Sequence, residues 1–457
     1  MLATVMLTPR HSPVHGVGVT LLLSALLLPV LAAAAPPAGP AFEAKTLDRL
    51  HDPVVVRTGA LAGVPDRETA RYRLYAARKG RLEPIPFQFD ARGADGELVL
   101  SDDGADTEFT FDDDDELVFM AKDTGDRVAD TARPARSDAA LEIEVTDRSH
   151  TGQAWAYLVH FPGDPPPRSP VRYATFDTAR QEARALSYQV SYSLNRSNFL
   201  SSVRIPRAAG GTGESLIARL RMRISPTFTF LFATFRPTFT EESFSVVSDG
   251  VKNGPVRAVR RVRQSLDLGK AFPDIPSGRV YTYYYASSFV TPSRFSIPWL
   301  ALKTLRDFRF ESVNTFGTET DGMRYWDAAN PDGVPFTGSD RPAAADGDHD
   351  WWVVSGDRGT CLHALIIPEE WREWGIKRGI VFKDGAGDPG AGYSLLRMTN
   401  LRKPGAYELG SAFVVMPRRY QAGDEAGVLA GFRDPLETEV RTVALDAGVA
   451  RHASAQR

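Results

Sequence analysis

A chain of 457 residues, 43% hydrophobic and 24% charged, has the composition of a folded globular protein and enough length for two sizeable cores. Its 54 basic and 57 acidic residues leave a net charge of −3, which argues against a nucleic-acid binder or a polybasic membrane-surface protein. Cys361 is the single cysteine, so no intrachain disulfide can form, and its place between Thr360 and Leu362 in an apolar run marks it as a small core residue.

The amino terminus reads as an export address. Arg10 is the one formal cation ahead of the apolar run Val19–Leu31, which leads into Ala32–Ala35. A positively marked start, a short apolar region and small residues at its end predict a signal peptide over residues 1–34. The run is interrupted by Pro29 and falls short of the ~20 residues a spanning helix needs. The mature chain is therefore expected in the periplasm or secreted, with no membrane span.

From Asp52 to about Phe161, short runs such as Val54–Val56, Tyr72–Ala76, Ile85–Phe89, Glu116–Met120, Leu141–Val145 and Ala154–Phe161 are separated by polar turns, with no helical period. That pattern predicts a small β-sandwich or barrel over 35–161. Glu142, Glu144 and Asp147 set against Leu141, Ile143 and Val145 suggest a strand with one wet face. Residues 162–170, PGDPPPRSP, form a proline-rich linker through which no helix or strand continues.

The stretch 171–440 is again dominated by strands, about a dozen, which predicts two large sheets. Thr227, Thr229 and Thr234, with Pro226 and Pro237 bounding the run, favour a strand for the Phe228–Phe235 segment. Helices are expected at Pro298–Arg306 and Glu369–Trp374, and residues 437–457 are expected to fray, leaving 441–457 as a tail. Gly385–Gly390 fits a GxGxxG pattern, but Pro389 and the strand-like sequel make it a hairpin loop. The fold class is all-β: a small β-domain followed by a large two-sheet supersandwich.

Asn253–Leu268, NGPVRAVRRVRQSLDL, is the most informative run. Asn-Gly-Pro is a turn signal, and the alternation behind it puts Val256, Ala258, Val262, Leu266 and Leu268 on one face and Arg257, Arg261 and Arg263 on the other. Arg260 falls on the core-facing parity and demands a partner, with Glu241 and Glu242 as candidates.

PIPFQFDARGADGE (Pro84–Glu97) followed by DDELVFMA (Asp114–Ala121) resembles the leading β-domain of secreted proteins related to exo-acting rhamnogalacturonan lyases. SDGVKNGPVRAVRRVR (Ser248–Arg263) resembles the "GPVR" strand of galactose-mutarotase-like supersandwich domains. The resemblance implies a small β-domain ahead of a supersandwich, in a setting associated with carbohydrate. It rests on turn, strand and core residues, so it carries fold and no catalytic residue.

Three constellations are candidates for chemistry. Arg257, Arg261 and Arg263 on one strand, and Tyr281, Tyr283 and Tyr285 on the next, make a wall suited to an acidic polysaccharide if the strands pair. The loop Asp346, Asp348, His349 and Asp350 followed by Trp351 and Trp352 offers carboxylates, an imidazole and an aromatic platform to a sugar. The acidic run containing Asp112, Asp113 and Asp114 offers oxygen ligands to Ca²⁺ but no complete ligand spacing. His160 and His363, in apolar strands, are expected to be core histidines. The reading is an exported carbohydrate-associated protein binding an acidic glycan. Its alternatives are a polysaccharide lyase or sugar-processing enzyme on the same fold, and an envelope scaffold binding a protein or apolar ligand through Phe228–Phe239.

Overall fold

β-Branched and aromatic residues in alternation, punctuated by turn formers, commit most of the chain to antiparallel strands. The computed structural model describes residues 42–128, 134–149, 151–193, 196–217, 219–230, 232–266, 275–297, 305–316, 322–335, 350–367, 377–384, 392–399 and 405–443. The expected signal peptide, the helix at Glu369–Trp374, the loop Gly385–Gly390 and the 444–457 end of the tail lie outside these residues. The architecture is all-β and multi-sheeted, and Pro40–Arg457 cluster as one compact unit.

The leading part pairs two sheets. Pro53–Arg57, Glu116–Met120 and Phe87–Asp90 form a three-stranded sheet. It packs on a five-stranded sheet of Glu437–Thr442, Ala139–Asp147, Gly152–His160, Tyr72–Arg78 and Arg81–Pro84. Val54, Val56, Leu74, Phe87, Phe89, Leu117, Phe119, Ile143 and Leu158 fill the space between. Two expectations are corrected here. Glu437–Thr442 does not fray: it is an edge strand on Ala139–Asp147, with Val440 packed against the core. The far face of Ala139–Asp147 is not wet, because Trp155, Tyr157 and Val159 on the neighbouring strand build a second small core there. Glu142 is buried in it, paired with Arg127 at 3.1 Å and accepting the Tyr157 hydroxyl at 3.2 Å.

The following part is organised around a nine-stranded antiparallel sheet. Its order is Phe244–Asn253, Ala258–Leu266, Ile275–Tyr284, Ser288–Ile297, Gly405–Met416, Gly359–Ile366, Trp351–Gly356, Arg324–Asp327 and Asn330–Pro335. One face packs on a five-stranded sheet (residues 174–217) through Tyr188, Val190, Val203, Leu216, Tyr284, Phe289, Trp352 and Phe413. A six-stranded sheet carries Arg219–Phe230 and Leu305–Phe316, so Leu305 and Arg306 open a strand where a helix was expected. Ser288–Ile297 escapes a strand reading because Pro292 interrupts it. The ladder to Ile275–Tyr284 has no partner at Pro292, which places the missing N–H at a gap. Asp424–Arg433, also unforeseen, is the one α-helix among the described residues; Gly427 and Gly431 depress its helical signal. Val428 and Leu429 seat it on the outer face of the sheet.

The two parts meet over polar groups rather than a loose linker. Gln88 and Asp90 of one strand and Glu116 of its neighbour face Lys252 and Arg257 across the junction, all of them buried. Arg257 reaches Asp90 through Nε at 2.8 Å and Glu116 through Nη2 at 2.7 Å, and Lys252 Nζ lies 2.9 Å from Asp90. Gln88 Oε1 accepts the backbone N–H groups of Val256 and Arg257, each at 2.9 Å. Burial alone would push Asp90 and Glu116 up; Arg257, joined by Lys252 at Asp90 and by Arg92 at Glu116, more than offsets it and holds both carboxyls below their usual range.

Gly254 of the Asn-Gly-Pro turn is required by this junction, since a Cβ there would sit 2.1 Å from Gln88 Oε1. Arg257→Met takes from two buried carboxylates the cation they share, leaving Asp90 to Lys252 and Glu116 to Arg92, and is expected to cost about 3 kcal/mol of stability in urea titration. Gly254→Ala is expected to destabilise as well, by less than Arg257→Met. Wild-type stability in both variants would show that the junction carries no weight.

Candidate functional site

The outer face of the nine-stranded sheet follows from residue parity. In register across five strands lie Tyr283, Val290, Ala412, Ala364 and Trp351. Ala412 and Ala364 are small, and the helix Asp424–Arg433 lies over them. At the other end Val118 and Met120 of the leading part, with Tyr173 just past the proline-rich linker, cover Tyr285, Ala286 and Val256. Tyr281, Tyr283 and Val290, between the two covers, keep partial exposure.

The arginine and tyrosine strands pair as the sequence suggested, with Arg261 opposite Tyr281 and Val259 opposite Tyr283. Arg261 stands 5.7 Å from the Tyr281 ring centre and Arg257 4.9 Å from that of Tyr283. The Tyr281 and Tyr283 rings stack at 6.0 Å and 15°. Arg261, Arg263 and Arg279 all converge on Asp249, at 2.9, 2.5 and 3.4 Å. Asp95, 3.8 Å from Arg279, and Glu97, which accepts the Tyr281 hydroxyl, stand across from them on the leading part. The side chains of Arg263 and Arg279 are 60% and 42% exposed.

The other expected site residues divide. Arg257 and Tyr285 share the face but are buried under the leading part, so they brace the junction instead of meeting solvent. Trp351 is partly exposed on the outer face, next to Asp350, whose carboxylate pairs with Arg433 of the helix. Trp352 points inward and is fully buried, stacked on His363 at 5.2 Å, so it offers no platform. His349, Asp346 and Asp348 lie outside the described residues. Arg260 is buried as its parity required, with its guanidinium 4.5 Å from Tyr192 and 5.1 Å from Phe176, and donates to Gln181 at 3.2 Å.

Asp112, Asp113 and Asp114 lie in a turn before Glu116–Met120. There the Asp112 carboxylate accepts the N–H of Asp114, and Asp113 pairs with Arg67 at 2.8 Å. Among the described residues no group of three or more His, Cys, Asp or Glu is placed to hold a metal ion. None of their helices is long and apolar enough to cross a membrane. Phe232 and Phe235 are exposed at a hairpin tip, while Phe228 is partly covered.

Glu97, Asp249 and Arg92 were not singled out from sequence, and nothing local marks them, because they meet the wall only through the fold. Arg279 had a signal: it continues the parity of Tyr281 and Tyr283. The Tyr283 hydroxyl has no hydrogen-bond partner among the described residues. Burial raises its pKa first, with Tyr285 and Glu116 adding to the rise and Arg257 and Arg92 opposing it. At neutral pH it is therefore a proton donor and not a base.

No family model matches the chain, and no curated protein matches it. Among solved structures it is similar to an α-mannosidase from Enterococcus faecalis V583, at 11% identity and a TM-score of 0.43 over 89% of this chain and 46% of that one. It is also similar to a protein in the glycosyl hydrolase family 38 from Enterococcus faecalis, at 10% identity and a TM-score of 0.42 over 89% and 47%. The chain thus spans about half the length of these structures. The likeness is distant.

His363 supplies a pH test of the core beneath this face. Its Nε2 lies 2.8 Å from Ser411 Oγ, and burial lowers its pKa to about 3. Unfolded, it would titrate near its ordinary value of about 6.5, so below that pH the folded state binds fewer protons. Its contribution is complete above pH 6.5 and is lost as pH falls toward 3. Between pH 6.5 and 4 the wild type should lose on the order of 3 kcal/mol more stability than His363→Gln, read from urea titrations at each pH. Equal losses would mean His363 is not held neutral.

Proposed function

We propose that the chain is an exported carbohydrate-binding protein whose ligand, an acidic glycan, lies on the outer sheet face between the leading β-domain and the helix Asp424–Arg433. The reading is supported above all by the stacked, partly exposed pair Tyr281–Tyr283 beside three guanidiniums gathered on one carboxylate. An aromatic face packs against the apolar face of a pyranose, and the exposed Arg263 and Arg279 forks match a uronate carboxylate. Glu97 and the Tyr283 hydroxyl add an acceptor and a donor for sugar hydroxyls. The export address and the resemblance of the "GPVR" strand to galactose-mutarotase-like domains agree with such a ligand.

A polysaccharide lyase is the second reading, favoured by the Tyr283 hydroxyl, unpartnered among the described residues and near Arg257, Arg92 and Glu116. Its high pKa suits it to protonate a leaving sugar oxygen, not to abstract the α-proton.

Calorimetric titration with polygalacturonate and with a neutral glycan of similar length separates these ideas. The uronate polymer should bind and the neutral one bind at least tenfold more weakly. Tyr283→Ala and Arg263→Ala should each weaken uronate binding by about tenfold, near 1.4 kcal/mol. Product absorbance from an unsaturated uronate, lost in Tyr283→Phe, would select the lyase. Equal binding of wild type and both variants would remove the face from consideration.

A further inference from the structure

At the turn between Ile275–Tyr284 and Ser288–Ile297, Ser287 meets a residue from the far end of the sequence. Its Oγ lies 2.6 Å from Nδ1 of His51, in the segment preceding the strand Pro53–Arg57. Both side chains are partly exposed. Tyr285 N–H donates to the Ser288 carbonyl at 2.8 Å, and Val415 N–H donates to the Ser287 carbonyl at 2.9 Å, so the turn is fixed from both sides. Packing of Ala286 against the leading part holds it further. The amide N–H groups of Ala286 and Ser287 have no acceptor among the described residues.

The surroundings keep the imidazole neutral. Burial lowers the His51 pKa first, then Arg418 and Lys122, with Asp424 opposing them, and the result is about 4. At pH 7 the ring is therefore neutral, and in its Nε2–H tautomer Nδ1 carries the lone pair that accepts the Ser287 hydroxyl. A hydroxyl hydrogen-bonded to a neutral imidazole is the arrangement that activates a serine nucleophile. The unclaimed amides, with two cations nearby, can meet negative charge developing on a carbonyl oxygen.

We propose that Ser287 and His51 form a nucleophile–base pair that hydrolyses carboxylic esters, at a site separate from the Tyr281–Tyr283 face and independent of the glycan reading. Ser287 Oγ adds to the ester carbonyl carbon while its proton passes to His51 Nδ1. The tetrahedral adduct expels the alcohol, whose C–O bond breaks and which takes that proton. Water then adds to the acyl-serine, again losing a proton to Nδ1. Collapse frees the carboxylic acid and returns the proton to Ser287.

The test treats the protein with a fluorescent fluorophosphonate, which phosphonylates activated serines. Peptide mapping should place the adduct on Ser287, without reliance on any variant. Ser287→Ala should abolish labelling, and His51→Gln should slow it about 100-fold while circular dichroism confirms a native fold. The wild-type labelling rate should rise with pH to a plateau, half-maximal near pH 4, where His51 deprotonates. An unlabelled wild type, an adduct elsewhere, a His51→Gln rate equal to wild type or a rate flat across pH 3–6 would each overturn the pair.

Discussion

Arg257 is the residue on which the two parts of the molecule depend. A guanidinium removed from water must find carboxylates, and the two it finds, Asp90 and Glu116, belong to the leading sheets. Lys252 and Gln88 close the remaining valences, so the groups stay ionised in a place where a lone charge would be intolerable. The strand that carries Arg257 also carries Arg261 and Arg263, which means that the bond between the parts fixes the candidate site as well.

A sheet nine strands wide has more outer surface than one cover can shield. The leading part takes one end, through Val118 and Met120 with Tyr173 beside them, and the helix takes the middle, over Ala364 and Ala412. What stays open is set by side-chain size: alanines admit a helix, while the paired tyrosines hold a strip clear beside it. The proposed site falls there because cross-strand register puts arginine against tyrosine on the uncovered strip.

Much of this was legible in the residues. Period-two alternation gave the all-β class, the face shared by Arg257, Arg261 and Arg263, and the inward turn of Arg260, because parity is a local property. Which face is wet is not local. Arg257 and Tyr285 have the right parity for solvent but lie under a domain more than a hundred residues away, and Glu142 is buried by a strand that follows it. Trp351 and Trp352, adjacent in sequence, go to opposite faces, so a two-tryptophan platform was never available to a strand. Pro292 and the glycines of Asp424–Arg433 hid a strand and a helix because tertiary packing overrode weak local preference.

The fused junction is tested most directly by scanning calorimetry of the protein at pH 7. A buried ion network shared by both parts should make them unfold together, in one transition whose calorimetric and van't Hoff enthalpies agree. Two resolved transitions, with the leading sheets melting apart from the nine-stranded sheet, would contradict it.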